Sequence, residues 1–364
     1  MRRLFIVTLT LLSLCIGILA MRVPVAAATP VTPFLQGAAL SDEFDCTPPA
    51  NYDSLVNSLA AWQANTLKVT VNPMFLTGQQ GCNGASYLAS VEHAATLAES
   101  RSMTVILGMY PMKDYYAGYS YMPTQTTVNA WAILAPIYKN DPRVLYEAFN
   151  EPHTITDQVW RDGNAAQGYI GMQALVNDIR ALAPNPILVD GPNYSGTIGQ
   201  VVAAGYRIIG ANVYYAVHVW TNGGNKNPSN WAANFGNLAA TTPVYATEFG
   251  DVGCVAGNGW MTQFMMYARA HLAGMIAWSF THDGSVCGRP DLVSSDTGTP
   301  SSYGQVVHDT FIESVPTPTA TSTPLPTQTP IPPTATPIHA QASCHTTSTQ
   351  NGKTLTVVTI CQLP

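Results

Sequence analysis

The chain has 364 residues, of which 46% are hydrophobic and 10% are charged, and its formal net charge is −6 at pH 7. This length is enough for one large domain or two small ones. An acidic chain that has no basic clusters argues against nucleic acid or an anionic membrane surface as a partner.

The N-terminus predicts a secretory signal peptide over residues 1–28. Two arginines precede an apolar run at residues 5–20, and residues 25–28 supply the small side chains of a cleavage site. A lipid anchor at Cys15 is not expected, because Leu14 stands where a lipoprotein signal has a small residue. We therefore expect a secreted, extracellular protein that is not attached to a membrane after cleavage.

After this segment, strand-like and helix-like segments alternate along the chain. Strands are predicted at residues 34–40, 66–71, 103–108, 144–149, 186–189, 207–213 with a continuation to 220, 243–248 and 275–280. Helices are predicted at residues 52–64, 85–101, 127–139, 165–183, 197–204, 231–239, 259–273 and 303–314. Eight strand–helix repeats in about 285 residues are typical of a (β/α)8 barrel, also called a TIM barrel.

The alternative fold is a doubly wound open sheet. That fold usually has a glycine-rich phosphate-binding turn after its first strand, and residues 36–39 are not such a turn. The predicted strands are apolar runs without polar alternation, as expected of strands that are covered on both faces. We therefore expect one α/β barrel domain over residues 29–315.

The composition changes completely after this domain. Of the 22 residues at 316–337, eight are proline and eight are threonine, so residues 316–338 are interpreted as an extended linker. Residues 339–364 form a short C-terminal segment of unknown role, with a possible strand at 354–360. So few residues need a staple to fold alone, and Cys344 with Cys361 could supply it.

Six cysteines remain when Cys15 is set aside, and an even number in a secreted chain indicates disulfides. A metal site is the weaker interpretation, because no Cys-x-x-Cys pair or histidine cluster accompanies them. In a barrel, the loops after strands 1 and 2 are neighbours, and so are those after strands 7 and 8. The predicted pairs are Cys46–Cys82, Cys254–Cys287 and Cys344–Cys361.

Two of the predicted strands end in a carboxylate. The fourth runs into Asn150-Glu151-Pro152, and the seventh ends at Glu248, which is followed by Phe249 and Gly250. In a barrel, catalytic groups sit at the C-terminal ends of strands. A single glutamate there is more often a helix cap or a surface charge, but a pair of acids is what glycoside hydrolysis requires.

With these motifs, residues 34–314 resemble the clan A (β/α)8 glycoside hydrolases, most closely family 5, which contains cellulases and mannanases. The resemblance implies that Glu151 is the acid/base and Glu248 the nucleophile. It also implies that Asn150 hydrogen-bonds the sugar 2-hydroxyl. No metal and no organic cofactor are implied.

The resemblance extends to further substrate-binding candidates. His218 matches a family histidine, and Trp278 matches a tryptophan on which a sugar ring stacks. Residues 110–121 hold five tyrosines and could supply further sugar platforms. The structural alternatives are a core histidine and a core tryptophan.

The sequence departs from the family pattern at three of these positions. Trp220 stands where the family has a tyrosine, Lys68 where it usually has an arginine, and Tyr110 where it usually has a histidine. Lysine keeps the charge of arginine but loses its planar fork. Either Tyr214 or Tyr215 could supply the missing phenol near the nucleophile.

These observations predict a retaining β-glycosidase that acts within a β-linked glucan or mannan. Its expected partner is a polysaccharide or oligosaccharide, and it is expected to be a monomer. Two alternatives from other functional classes are a catalytically silent carbohydrate-binding barrel and a cell-surface adhesin with the Pro/Thr segment as its stalk. Retention of both glutamates beside Asn150 argues against the silent barrel.

Overall fold

The computed structural model describes residues 33–41, 46, 51–111, 120–254, 259–282 and 290–313, and the backbone of residues 343–351 and 354–362. The chain divides into two compact units, Met1–Ser314 and Val315–Pro364. Among the described residues, no helix is both long enough and apolar enough to cross a membrane.

The first unit contains eight parallel strands that close into a barrel. They are β1 (Leu35–Leu40), β2 (Thr66–Val71), β3 (Thr104–Met109), β4 (Val144–Glu147), β5 (Ile187–Asp190), β6 (Val213–Trp220), β7 (Val244–Gly250) and β8 (Gly274–Ala277). Each strand pairs with its sequence neighbours, and β8 returns to pair with β1. The predicted (β/α)8 barrel is therefore confirmed.

Helices lie between these strands along the chain, and one more follows the last strand. They are α1 (Tyr52–Ala61), α2 (Pro73–Leu76), α3 (Gly84–Ser100), α4 (Gln125–Tyr138), α5 (Asp157–Asp162), α6 (Met172–Leu182), α7 (Pro192–Ser195), α8 (Ile198–Ala203), α9 (Asn237–Ala239), α10 (Gly259–His271) and α11 (Gly304–Ile312). Several of these helices begin at a residue whose side chain caps the first turn. Asn83, for example, accepts hydrogen bonds from the backbone N–H groups of Ala85 and Ser86 at the start of α3.

The strands are buried because both of their faces are covered. Every residue of β2 and β7 is buried, as expected of strands that are covered on both faces, and their charged residues Lys68 and Glu248 are paired with each other. One small cluster fills the barrel interior and includes Ile106, Leu188 and Ile276. A much larger cluster packs the outer strand faces against the helices.

The structure corrects the predicted start of the sixth strand. Residues 207–212 are not a strand, and β6 begins only at Val213. Ile209 is 66% exposed, and Asn212 has a positive φ of 53°, which interrupts an extended chain. The backbone N–H of Ile208 instead donates to the hydroxyl of Tyr215, which ties this loop to the strand that follows.

The helix predicted over residues 165–183 is also corrected, because α6 begins only at Met172. The preceding residues form a small antiparallel hairpin of Gly163–Asn164 and Tyr169–Ile170, with a 3-10 turn between them. Gly163 and Gly168 both have positive φ values, 81° and 72°, so the chain turns back there instead of continuing helically.

One of the three predicted disulfides, Cys46–Cys82, is confirmed, with a Cα–Cα distance of 5.7 Å. It joins the segment after β1 to the segment between α2 and α3. Cys287 lies outside the described residues, so the pairing of Cys254 with it stays a prediction. In the C-terminal unit, antiparallel strands β9 (Ser343–Asn351) and β10 (Thr354–Gln362) place Cys344 opposite Cys361, and their bonding also stays a prediction.

The Cys46–Cys82 bridge spans 36 residues of sequence, and closing such a loop stabilises a fold by about 3–4 kcal/mol. We expect Cys46→Ser/Cys82→Ser to lower the free energy of unfolding of the barrel by that amount in urea denaturation. Cys344→Ser/Cys361→Ser is the matched control, since its residues belong to the other unit, and it should leave barrel unfolding unchanged. Equal stability of both double variants would contradict the assigned role of the bridge.

Candidate active site

An open cleft of about 740 Å³ lies at the C-terminal ends of the barrel strands. Its lining residues are Tyr110, Glu151, Asn193, Tyr194, Gly196, His218, Trp220, Asn222, Gly223, Gly224, Asn225, Glu248, Val252, Trp278 and Pro290. Six of the eight residues singled out from sequence are among them. Asn150 and Lys68 are not, and both are buried.

The two glutamates expected to be catalytic meet in this cleft. An oxygen of Glu151 and an oxygen of Glu248 lie within 4.8 Å of each other and of a ring nitrogen of His218. The side chain of Glu151 is 24% exposed, whereas that of Glu248 is 3% exposed. The two carboxylates therefore share one site, and only Glu151 is substantially open to solvent.

His218 lies between the two carboxylates. Its Nδ1 is 2.8 Å from Glu151 Oε1 and 3.4 Å from Glu248 Oε2, and its Nε2 is 3.2 Å from Thr247 Oγ1. Burial lowers the pKa of His218, but Glu248, Glu147 and the other carboxylates around it raise that pKa well above its ordinary value. The carboxylates around the ring thus favour its protonated form, in which both nitrogens can donate hydrogen bonds.

Lys68 lies beneath the cleft, fully buried, rather than among the residues that face substrate. Its Nζ is 2.7 Å from Glu147 Oε2 and 3.1 Å from Glu248 Oε1, and it also donates to the carbonyl oxygen of Thr247 at 3.4 Å. Burial lowers the pKa of Lys68, but the two carboxylates outweigh that effect and raise it overall. The side chain therefore supports Glu248 from below.

A glycine makes room for this buried ion pair. A Cβ atom on Gly108 in β3 would lie 2.5 Å from Glu147 Oε2 and 3.1 Å from Lys68 Cε. Any larger residue would push the ammonium and the carboxylate apart. Gly108 is needed here because of this close approach and not because of its backbone angles.

Two buried carboxylates in the site, Glu147 and Asp190, were missed by the sequence interpretation. Both are fully buried, at the C-terminal ends of β4 and β5. The available signal was a single acid in each otherwise apolar strand, because charged residues are almost never fully buried unless they are paired. Each is paired here, Glu147 with Lys68 and Asp190 with the backbone N–H of Glu151.

These neighbours set the protonation of the site. Burial raises the pKa of Glu147, but the charges of Lys68 and His218 lower it overall to about 2. Burial also raises the pKa of Glu248, to about 7, although His218 and Lys68 oppose the rise. Burial and the charge of Glu147 raise the pKa of Asp190 well above its usual range.

Two sets of three side chains bring metal-ligand atoms together, Glu151 with His218 and Glu248, and Glu147 with Asp190 and His218. The Lys68 ammonium already lies within ion-pair distance of both Glu147 and Glu248. We therefore interpret the cluster as a proton and charge network.

Aromatic side chains line the cleft around the carboxylates. Trp278 and Tyr110 are stacked, with ring centroids 5.7 Å apart and an interplanar angle of 22°. Trp220 packs over the end of β7, where a Cβ on Gly250 would lie 2.6 Å from the indole. Such ring faces can stack on the C–H groups of a sugar.

A further aromatic, Tyr194, was missed by the sequence interpretation. It is 49% exposed and stacks on buried His153, with ring centroids 4.1 Å apart and an interplanar angle of 15°. Nothing in the sequence singled it out, because it lies in the short α7 after β5, where residues 193–195 have left-handed backbone.

The remaining candidates from the sequence are Asn150 and the tyrosines near the site. Asn150 is 3% exposed, and its side-chain oxygen accepts no hydrogen bond from the part of the chain that the structure describes. Tyr215 packs in the outer core. The ring centroid of Tyr214 lies 6.2 Å from that of Tyr245 in the barrel interior, and neither phenol lines the cleft. Residues 112–119, which hold three of the five tyrosines, lie outside the described residues.

The Lys68–Glu147 pair makes a prediction about stability. Lys68→Met leaves a buried carboxylate without its cation, which should cost about 3–5 kcal/mol of unfolding free energy, and Lys68→Met/Glu147→Leu should recover part of that loss. Arg143→Met is the control, because it removes a pair with Asp141 in which the Arg143 side chain is 45% exposed, and should cost under about 1 kcal/mol. Urea denaturation that gave equal losses for Lys68→Met and Arg143→Met would show that the buried pair does not support the fold.

Comparison with known proteins agrees with this geometry. The family profile Cellulase (glycosyl hydrolase family 5) matches residues 29–284. Endoglucanase Z of Dickeya dadantii (strain 3937) is 27% identical over 179 residues, which cover 48% of this chain and 37% of that protein. The matched stretch thus spans well under half the length of this relative.

Solved structures share the fold at low identity. The β-glucanase SdGluc5_26A from Saccharophagus degradans superimposes with a TM-score of 0.62 at 22% identity, over 77% of this chain and 88% of that one. XacCel5A in complex with cellopentaose gives a TM-score of 0.56 at 19% identity, over 76% of this chain and 98% of that one. These structures share the fold, and the profile match over residues 29–284 shows that the chain belongs to the cellulase family, glycosyl hydrolase family 5.

Proposed function

We propose that this chain is a retaining, endo-acting β-glycosidase in which Glu151 is the acid/base and Glu248 the nucleophile. The observation that carries the proposal is the short distance between their carboxylates. One oxygen of Glu151 lies within 4.8 Å of one oxygen of Glu248. Inverting enzymes separate the two carboxyl groups by about 6.5–9.5 Å to admit a water, whereas retaining enzymes need only about 5–5.5 Å.

The environment of Glu248 suits a nucleophile. The Lys68 ammonium, 3.1 Å from Oε1, stabilises the ionised form and fixes the side chain from below. In the first step a Glu248 oxygen bonds to the anomeric carbon while the glycosidic C–O bond breaks. Because Glu248 is almost fully buried, its attack does not require the removal of many water molecules.

The environment of Glu151 suits an acid that later becomes a base. Its carboxyl group faces the cleft and is the more exposed of the two, so both a leaving oxygen and a water can reach it. In the first step it gives its proton to the leaving oxygen. In the second it takes a proton from the water that attacks the anomeric carbon, and the bond to Glu248 breaks.

The shape of the cleft supports action within a polymer. It is open and lined by aromatic rings, with Tyr110 stacked on Trp278 and Trp220 over the end of β7. A neighbour of the same fold binds cellopentaose, and a relative is an endoglucanase. A β-linked glucan is therefore the preferred substrate class, with mannan as the alternative.

The remaining parts of the proposal concern the whole chain. The Cys46–Cys82 disulfide supports a secreted protein, because such bridges persist in oxidising compartments. We propose a signal peptide at residues 1–28, a catalytic barrel at 29–315, a linker at 316–338 and a terminal segment at 339–364. The enzyme is proposed to act as a monomer.

The first test is hydrolysis of a panel of soluble β-glucans, mannans and xylans, with NMR of the first product. We expect cleavage of a β-glucan with reducing ends released from its interior, and a first product that keeps the β configuration. An initial α product would rule out Glu248 as the nucleophile, and inactivity on every polymer would rule out the proposed hydrolase.

Variants of the two glutamates separate their roles. Glu248→Ala should be inactive on all substrates, because no covalent intermediate can form. Glu151→Ala should keep activity on aryl glycosides whose leaving groups need no proton, and azide should accelerate its second step. Glu313→Ala changes an exposed glutamate and should behave as the wild type.

A further inference from the structure

Asp190 is a fully buried carboxyl group that touches the proposed acid/base from behind. It ends β5, and its Oδ2 accepts a hydrogen bond from the backbone N–H of Glu151 at 3.0 Å. The same oxygen lies 3.6 Å from Nε2 of His218. One atom therefore faces both the main chain of Glu151 and the ring that hydrogen-bonds its side chain.

The backbone of Glu151 needs such support. Its φ is +51°, in the left-handed region that a residue with a Cβ adopts only at an energetic cost. Conformations of this kind persist where the surroundings hold them in place. Asp190 holds the N–H of Glu151, and His153 Nδ1 lies 2.8 Å from its carbonyl oxygen. The residue is thus held on both sides.

The side chain of Glu151 is oriented through His218. The ring contacts Glu151 Oε1 through Nδ1, and its opposite nitrogen faces Asp190 Oδ2, Thr247 Oγ1 at 3.2 Å and Glu147 Oε1 at 3.8 Å. A shift of Asp190 would therefore change both the backbone and the carboxyl orientation of the acid/base.

We propose that Asp190 is the positioning residue of the acid/base, holding Glu151 in its left-handed conformation and His218 behind it. The proposal rests on the proposed role of Glu151 as acid/base. Asp190 acts by the place of its oxygen, not by its charge. Burial and the charge of Glu147 raise the pKa of Asp190, which favours its neutral form.

A comparison of two variants tests whether Asp190 acts by the position of its oxygen or by its charge. Asp190→Asn can put its amide oxygen where Oδ2 lies, and its amide nitrogen then takes the place of Oδ1, which has no hydrogen-bond partner among the described residues. Asp190→Ala removes the oxygen altogether. The measured quantity is kcat/KM on aryl β-cellobiosides with a good or a poor leaving group, because this ratio reports the step in which Glu151 gives its proton.

We expect Asp190→Ala to lose about 100-fold in kcat/KM with the poor leaving group and under about 3-fold with the good one, since misplacing a catalytic group affects only the proton transfer it performs. Asp190→Asn should stay within about 5-fold of the wild type with both. Equal losses of Asp190→Ala with both leaving groups would overturn the proposal, and so would an Asp190→Asn as impaired as Asp190→Ala. If Asp190→Ala does not fold, Asp190→Ser, whose hydroxyl is too short to reach the same place, is judged by the same ratio.

Two further variants distinguish a failure of the inference about Asp190 from a loss of stability and from a failure of the proposed function. Asn185→Ala removes a buried side chain that donates to the carbonyls of Tyr138, Asp141 and Val144, just before β5, so it should lower stability without changing the leaving-group dependence. Glu151→Ala must itself show a strong leaving-group dependence. If it does not, the proposed function fails; if it does and Asp190→Ala does not, only the inference about Asp190 fails.

Discussion

The site depends on one ammonium group shared between two buried carboxylates. The Nζ atom of Lys68 lies within 3.1 Å of a carboxylate oxygen of both Glu147 and Glu248. The side chains of Lys68 and Glu147 are fully buried, and that of Glu248 is 3% exposed. Removing Lys68 leaves both carboxylates without this cation, and desolvating an unpaired ion costs several kcal/mol. The positions of the carboxylates are therefore fixed by electrostatics before any substrate arrives.

The barrel provides what this ion pair requires. Parallel strands bring Lys68 from β2, Glu147 from β4 and Glu248 from β7 to one level, and Gly108 on β3 leaves the space between them. The same geometry makes the two proposed catalytic acids unequal. Glu248 is enclosed and held by cations, while Glu151 sits one step beyond β4 and reaches the open cleft. Burial at the end of one strand and exposure just beyond another thus create different chemical roles for identical side chains.

Much of the barrel can be predicted from sequence because most residues of the covered strands are apolar, and the strand ends then point to Glu151 and Glu248. The start of β6 cannot be predicted from sequence, because Ile208 and Ile209 are as apolar as strand residues. The left-handed backbone of Asn212 delays the strand. The buried partners Glu147 and Asp190 cannot be recognised as such either, since pairing depends on which strands face each other. Lys68 shows the same limit, because its position in the sequence matches a family arginine while only the structure places it beneath Glu248 and out of the cleft.

Covalent trapping tests the central claim most directly, namely that buried Glu248, held between Lys68 and His218, attacks the anomeric carbon. A 2-deoxy-2-fluoro-β-cellobioside with a good leaving group should inactivate the enzyme, because the fluorine slows the second step more than the first and the glycosyl-enzyme accumulates. Peptide mapping by mass spectrometry should then find one fluorocellobiosyl group on the peptide that contains Glu248, and none on the peptide that contains Glu151. Label on Glu151, or turnover of polymeric substrate with no labelled peptide and an inverted product, would contradict the assignment.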